Sequence, residues 1–406
     1  ENPLDEGGHG SHVAGTVAGI GDGEKTYAGV APDADLYAIK VFGAEGSTGD
    51  AVVIAGLEYA ADPNRDGVLD DQLDVVNMSL GSSYGTPHVL YEEAIGNLVK
   101  GGTVVVASAG NSGPNDYIVG APSIVEEALS VAASVDNMNH NWKFDSIKFL
   151  AGQDTFVAEA IQGPISKPVQ EVGDLSGQLV HVGLAAADFS PEVAASLKGN
   201  VALIDRGSVT FAEKVGRAAA AGAIGVIVAN NQPSAPISMG GDGKFDIPAV
   251  MITQALGASI KAKLAAGETV TVNFKSDLKV EKPELIDTLT GFSSKGPRSI
   301  DGLLKPEISA PGSNIVSAKM GGGTEGVQMS GTSMAGPHVA GVMALMKQAY
   351  PGLTPLELKS IVMGHGKTIQ DEKKKDYALS RQGAGRVQVD KSLGVLAFSL
   401  QSSLSL

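Results

Sequence analysis

The chain has 406 residues, room for two or three domains, and carries 30 basic against 45 acidic residues for a formal net charge of −15. That balance excludes nucleic acid and anionic membranes as partners, and no apolar run approaches the length of a bilayer span. Cysteine is absent, so no disulfide holds the fold, while 53 glycines and 5% aromatics suit an α/β protein of tight turns and close helix packing.

Residues 7–16 place His9 and His12 among small residues at the start of a short helix. Glycines there allow close backbone approach, so that an imidazole can meet a distant segment. A zinc reading of the His-x-x-His pair lacks a third ligand. Residues 35–42 read as a buried strand and residues 50–61 as a helix. Next comes an acidic loop with Asp62, Asn64 and Asp66 at alternate positions and Gly67 sixth, the front half of an EF-hand loop. Its twelfth position is Leu73 rather than Glu, which excludes a standard EF-hand. A structural Ca²⁺ held by Asp62, Asn64, Asp66 and Asp70 is the expectation, against a solvated acidic turn. Strands follow at 74–80, 103–108 and 129–133, with a helix at 91–100 between the first two. The alternation predicts a doubly wound, mostly parallel sheet. Asn111 closes the second of these strands in a glycine turn, where its side-chain NH₂ can stabilise a developing oxyanion or simply shape the turn.

Near residue 138 the pattern changes. A smaller β-rich α+β insert follows, with strands near 199–207, 225–231 and 247–252 and an Ala-rich helix at 211–221. Asp205 and Arg206 within it read as a surface ion pair beside a turn. The first pattern resumes at 305–312 and reaches Ser333 at the mouth of an apolar helix, 332–349, with a further helix at 355–363. Free N–H groups and the positive dipole end of a first helical turn favour negative charge, which is what a nucleophile forming an oxyanion needs. The bland reading of such a serine is an N-cap. Pro337 reads as a first-turn residue, where its missing N–H matters least. Residues 395–400 read as a strand-like run.

Taken in order, the runs around His9, Asn111 and Ser333 resemble the subtilisin-like serine peptidases (subtilases), whose motifs are a His-Gly-Thr-His block, a strand ending in Gly-Asn, and a Gly-Thr-Ser-Met-Ala block. Ser11 stands where Thr is commoner and Gly336 where Ser is commoner. The resemblance implies a serine endopeptidase acting on protein or peptide substrates, with Ser333 as nucleophile, His9 as general base and Asn111 as oxyanion donor, and His12 and His338 packed rather than catalytic. It implies pocket walls from Ser79, Leu80, Gly81, Ser108, Ala109 and Gly110, with Gly46 and Ser47 lining the peptide further upstream. No cofactor is required for the chemistry. The insert resembles the protease-associated domain found in large secreted subtilases, so an extracellular, bacterial origin is expected.

The family also uses an aspartate in an Asp-Ser/Thr-Gly turn, and no such run occurs here. Asp5, the sole aspartate before His9, matches a loop position. The expectation is therefore a fragment of a longer protein with its catalytic aspartate outside this chain: catalytic domain at 1–137 and 285–395, protease-associated insert at 138–284, and the start of a further domain at 396–406. Such a fragment is expected to fold poorly or to be nearly inactive. An inactive pseudo-peptidase that binds protein through its insert is the alternative. An esterase of the α/β-hydrolase type is disfavoured, because Ser333 lacks the Gly-x-Ser-x-Gly elbow and the principal histidine precedes it.

Overall fold

A computed structural model describes residues 3–24, 26–43, 48–137, 141–163, 165–232, 236–237, 239, 244–275, 278–395, 397–400 and 402. Two compact units emerge, one from residues 1–142 with 284–406 and the other from Lys143–Pro283.

The first unit opens with α1 (His9–Ala18), α2 (Asp50–Ala61), β1 (Val75–Met78), α3 (Val89–Gly101), β2 (Val104–Ser108) and β3 (Leu129–Ser134). The second unit contains β4 (Lys143–Ala151), β5 (Asp154–Glu159), β6 (Ile161–Gln162), α4 (Val169–Val172), β7 (Leu175–His181), α5 (Pro191–Leu197), β8 (Val201–Asp205), α6 (Phe211–Ala220), β9 (Gly225–Ala229), β10 (Ala249–Ile252), α7 (Gln254–Ala265), β11 (Val270–Phe274) and β12 (Lys279–Glu281). The first unit then continues with β13 (Ile308–Pro311), β14 (Ile315–Ala318), β15 (Gly326–Met329), α8 (Thr332–Ala349), α9 (Pro355–Gly364), α10 (Leu379–Gln382) and α11 (Val389–Leu393).

In the first unit, β1, β2, β3 and β13 form a four-stranded parallel sheet in that order. Alternation along β2 shows why both faces need helices. Val104 and Val106 join a core with α8 and α9, whereas Val105 and Ala107 join one with α2 and α3. Strands buried on both faces read as continuous apolar runs, which is what residues 104–107 are. Helix starts are set locally: Thr354 accepts from the Glu357 N–H while Glu357 caps back onto Thr354, and Pro355 takes the first helical position.

Two expectations need correction. Residues 35–43 belong to no strand, and none of their backbone groups bonds to backbone among the described residues. A strand exists only where a neighbour completes its ladder, and β1 is the last described strand on that side of the sheet. Ile39 and Val41 still pack against the α2–α3 core, while Leu36 and Tyr37 are exposed. The described part of 395–400 is likewise not a strand: Val395 and Phe398 pack on the α8–α9 core, and the Ser399 carbonyl accepts from Ser360 Oγ at 2.5 Å.

The second unit is a mixed sheet of nine strands whose centre, β7-β8-β9-β10, runs parallel. Antiparallel β11, β4, β12 and β6 flank it, and β5 pairs with β4. Two apolar clusters fill its faces, one with α7 and one with α5 and α6.

Candidate active site

The carboxyl ends of β1 and β2 converge on the first turn of α8, where a parallel sheet presents its ligands. Beyond β2, Asn111 turns its side chain onto that helix. Its Oδ1 accepts from both the N–H and the Oγ1 of Thr332, each at 2.8 Å. With the oxygen held in this way, Nδ2 is left as the outward donor. Thr332 Oγ1 also accepts from the Gly110 N–H at 3.2 Å, and Ser108 Oγ donates to the Thr332 carbonyl at 3.0 Å.

Ser333 is half-buried in the second helical position. Its Oγ is 3.4 Å from the Ser79 carbonyl, and its own carbonyl accepts from Ser79 Oγ at 2.8 Å. The second contact explains Pro337, which lies in the second turn of α8 rather than the first. An ordinary residue at 337 would donate its N–H to the carbonyl of residue 333. Proline cannot, and the Ser79 hydroxyl, just beyond the end of β1, supplies that bond. The Ser333 N–H has no acceptor among the described residues, as expected for a first-turn donor.

The other pocket residues are placed around this turn. Leu80 packs against the α2–α3 core, and residue 82 pairs with residue 121 in both directions, just beyond Gly81. Ala109 is fully buried beside Val119 and Ile124. Gly110 has φ 109°, and a Cβ there would lie 2.8 Å from Ser294 Oγ, so the turn into Asn111 needs glycine twice over. Gly46 and Ser47 lie outside the described residues.

Helix α1 packs against α8 and β14, and no hydrogen bond joins His9 to Ser333 among the described residues. His12 is fully buried, and its Nε2 is 2.9 Å from the Ile315 carbonyl. That acceptor fixes the proton on Nε2, leaving Nδ1 as a buried acceptor without a partner. His12 is thus a packing group. His9, at the first position of α1, forms no hydrogen bond among the described residues. Burial pushes its pKa below the ordinary value, against the raising field of Asp5. Its surface remains exposed, so the neutral ring is available as a base. Burial lowers the His338 pKa to about 4 against the raising field of Asp136, so it is too weak a base to hold a proton at neutral pH.

Asp5 does not stand behind His9 as an orienting carboxylate. Its Oδ1 accepts from the Gly7 and Gly8 N–H groups at 2.9 Å, and its Oδ2 from the Ser11 N–H at 2.6 Å. Burial raises the carboxyl, but these donors more than offset it and hold it below its usual pKa. Asp5 caps the mouth of α1, a role visible in its position two to six residues before the donors it serves.

In the acidic loop the oxygens are turned inward. Asp62 accepts from Asp66 and Gly67, Asn64 from Asp66, and Asp66 from Val68. Asp71, rather than Asp70, closes the loop by accepting from the Asn64 N–H at 2.9 Å. Among the described residues no three His, Asp or Glu side chains are grouped to hold a metal.

A family model for the subtilases, peptidase S8, matches residues 1–385. The minor extracellular protease Vpr of Bacillus subtilis is 36% identical over 391 residues, covering 94% of this chain and 44% of that protein. A PII-type proteinase of Lactococcus lactis is 33% identical over 440 residues, covering 96% of this chain and 22% of its own length. The chain thus spans less than half the length of these relatives. The solved subtilisin-like protease Apa1 of Pseudoalteromonas sp. AS-11 aligns at a TM-score of 0.44 and 18% identity, over 97% of this chain and 84% of that one. By the match that runs through His9, Asn111 and Ser333, this chain belongs to the Subtilase family.

Proposed function

We propose that the protein containing this chain is a serine endopeptidase that cleaves proteins through an acyl-enzyme. The clamp on Asn111 carries the reading: an amide whose oxygen is bound twice by Thr332 exposes its NH₂ beside the serine at a helix mouth. Ser333 Oγ attacks the scissile carbonyl, and His9 takes its proton and returns it to the leaving amine. Asn111 Nδ2 and the Ser333 N–H hold the oxyanion. Residues 79–81 and 108–110 flank an extended substrate, which adds to their edges by main-chain hydrogen bonds. The name of Vpr as an extracellular protease supports a secreted enzyme, and the second unit is read as a protease-associated domain.

The carboxylate that orients His9 is proposed to come from outside this chain. Two observations support this. Asp5 is committed to backbone donors, and β1 is paired only on its β2 side among the described residues. A third-group carboxylate sets the tautomer of the base and stabilises its cation. On this reading residues 1–406 alone turn over slowly, by about 10⁴-fold on the scale established for subtilisin itself rather than worked from this chain. The inactive, protein-binding alternative rests on the same unoriented His9.

Labelling by a fluorophosphonate probe separates these readings. The longer protein should label at Ser333 and lose labelling in Ser333→Ala; no labelling of the longer protein sinks the peptidase reading. A structural Ca²⁺ at residues 62–71 is proposed on the alternate oxygen side chains of Asp62, Asn64 and Asp66, with Asp70 completing the set. Calorimetric titration with Ca²⁺ tests it, and the absence of both heat and a thermal shift removes it.

A further inference from the structure

We propose that a cavity in the second unit, at the carboxyl ends of β8 and β9, binds a carboxylate group, with Arg206 as the residue that receives it. The cavity has a volume of about 440 Å³ and is lined by Arg206, Asn230, Asn231, Gln254 and Lys261 among others. It sits where the parallel strands β8, β9 and β10 end and α7 begins, the place where open parallel sheets hold ligands.

The charges around it are unequal. Asp205 is the acid of the site, and both its oxygens are engaged: Lys261 Nζ donates to Oδ1 at 2.7 Å, and His181 Nε2 lies 3.0 Å from Oδ2. Although burial pushes the Asp205 carboxyl up, Lys261 and His181 hold it below its usual pKa, so it stays an anion matched by its neighbours. Arg206 has no such match. Among the described residues it forms no ion pair, its Nη1 donates to Asn230 Oδ1 at 2.8 Å, and its guanidinium lies 5.9 Å from the Phe211 ring centre. It is half-buried, and burial alone shifts its pKa, downward, with no carboxylate to offset it. A planar fork of donors left without an anion in a concave site is suited to a carboxylate, which it binds through paired charge-assisted hydrogen bonds. The first-turn N–H groups of α7, at Gln254 and Ala255 on the cavity wall, have no backbone acceptor and add to the same field.

A second cavity of about 460 Å³ shares Arg206 and includes Glu213. The Glu213 side chain caps Thr210 there, and its partner Arg217 does not line that cavity, whereas Lys261, the partner of Asp205, lines the first, so the second is the more repulsive to a carboxylate. The first cavity is therefore the site. Carboxylates of two sources share the needed chemistry: the C-terminus of a peptide, and an Asp or Glu side chain.

The test uses the chain with Ser333→Ala, which removes cleavage as a complication, so that failure here says nothing about the peptidase reading and the reverse. Three N-acetylated apolar peptides are titrated by calorimetry: one with a free C-terminus, one amidated, and one amidated but carrying a single Asp. The amidated neutral peptide should not bind. At least one of the other two should bind with a dissociation constant in the range of about 1 mM or tighter, and which one binds identifies the source. Arg206→Met and Arg206→Gln should each weaken that binding by about tenfold or more. Arg206→Gln keeps a donor for Asn230 and serves if Arg206→Met fails to fold. Equal binding of the neutral peptide, no binding by either acid, or unchanged affinity in a folded Arg206 variant overturns the proposal.

Discussion

Replacing Glu307 by Gln tests how the sheet beneath the site is locked. Glu307 Oε1 accepts from Lys305 Nζ at 2.7 Å and from Lys359 Nζ at 2.6 Å, while Oε2 accepts from the Ser130 N–H at 2.7 Å. Lys305 also donates to the carbonyls of Val125 and Ala128, and Lys359 to those of Glu126 and Ala128. One carboxylate thus ties the turn before β3 to β13 and α9, with Lys305 fully excluded from solvent. Glu307→Gln leaves the buried Lys359 ammonium without its anion, drives Lys305 further toward its neutral form, and turns an amide NH₂ toward one of the donors. Removing one partner of a buried charge cluster costs about 3–5 kcal/mol, or a Tm drop on the order of 10 °C for a unit of this size. Lys305→Met should cost less, because it leaves a neutral Glu307–Lys359 pair. Burial lowers the Lys305 pKa to about 7 from an ordinary 10.5, against the opposing pull of Glu307. The unfolded chain therefore takes up this proton as pH falls from about 10.5, before the folded chain does. Wild-type stability should fall with pH across that window and level off below about 7, and Lys305→Met should remove the slope. Urea unfolding of the three proteins between neutral and alkaline pH measures both effects. A Glu307→Gln protein within about 1 kcal/mol of wild type would refute the argument, since a buried unpaired charge cannot be that cheap.

On the peptidase reading, other outcomes follow for the longer protein. Asn111→Leu should lower kcat by about 10²- to 10³-fold, the scale set by subtilisin's own oxyanion asparagine, with KM little changed; a KM effect alone would assign Asn111 to ground-state binding. Thr332→Val should cost about fivefold, the worth of one hydrogen bond of about 1 kcal/mol, and should cost nothing further in an Asn111→Leu background. Because burial lowers the His9 pKa in this chain and an orienting carboxylate would raise it, the acid midpoint of activity should lie lower in residues 1–406 alone than in the longer protein; an equal or higher midpoint in the shorter chain contradicts this account. Ser79→Ala should leave the Ser333 carbonyl without its donor and destabilise the fold by about 1–2 kcal/mol, read by thermal unfolding. Gly336→Ser should be more stable than Gly336→Ala, because Asn77 Oδ1 is buried without a partner 3.2 Å from where a Cβ would stand; the reverse order would show that crowding wins.

Elements whose physics is local were legible in the sequence. The α2 helix, the apolar strands β2 and β3, and α8 and α9 carry their own signals in periodicity, continuous burial and capping boxes, and they stand within a residue or two of where these signals place them. Residues 35–42 fail for the opposite reason. Their alternation is that of a strand, but a strand is a property of two segments, and sequence alone does not supply the neighbour. The Arg206 surroundings were hidden similarly. Asp205 and Arg206 are adjacent in sequence and suggest a pair, yet the acid pairs with Lys261 and His181 from other elements and leaves the arginine uncompensated.

The reactive turn shows the same division within a few residues. A motif can mark Ser333 and Asn111, because each needs a particular functional group. It cannot show how Asn111 is aimed, since that depends on Thr332 supplying two donors to one oxygen across 221 positions of chain. Nor can it show that Pro337 and Ser79 form one device. Proline frees the Ser333 carbonyl from the helix, and a strand-end hydroxyl then binds it. The helix is tied to the sheet at the residue that must not move. A nucleophile positioned only by its helix would share that helix's fraying at the first turn, where backbone bonding is weakest. Bonds from β1 and β2 to the first two residues of α8 place Ser333 on the rigid sheet instead, and the Ser79→Ala and Thr332→Val variants remove those ties one at a time.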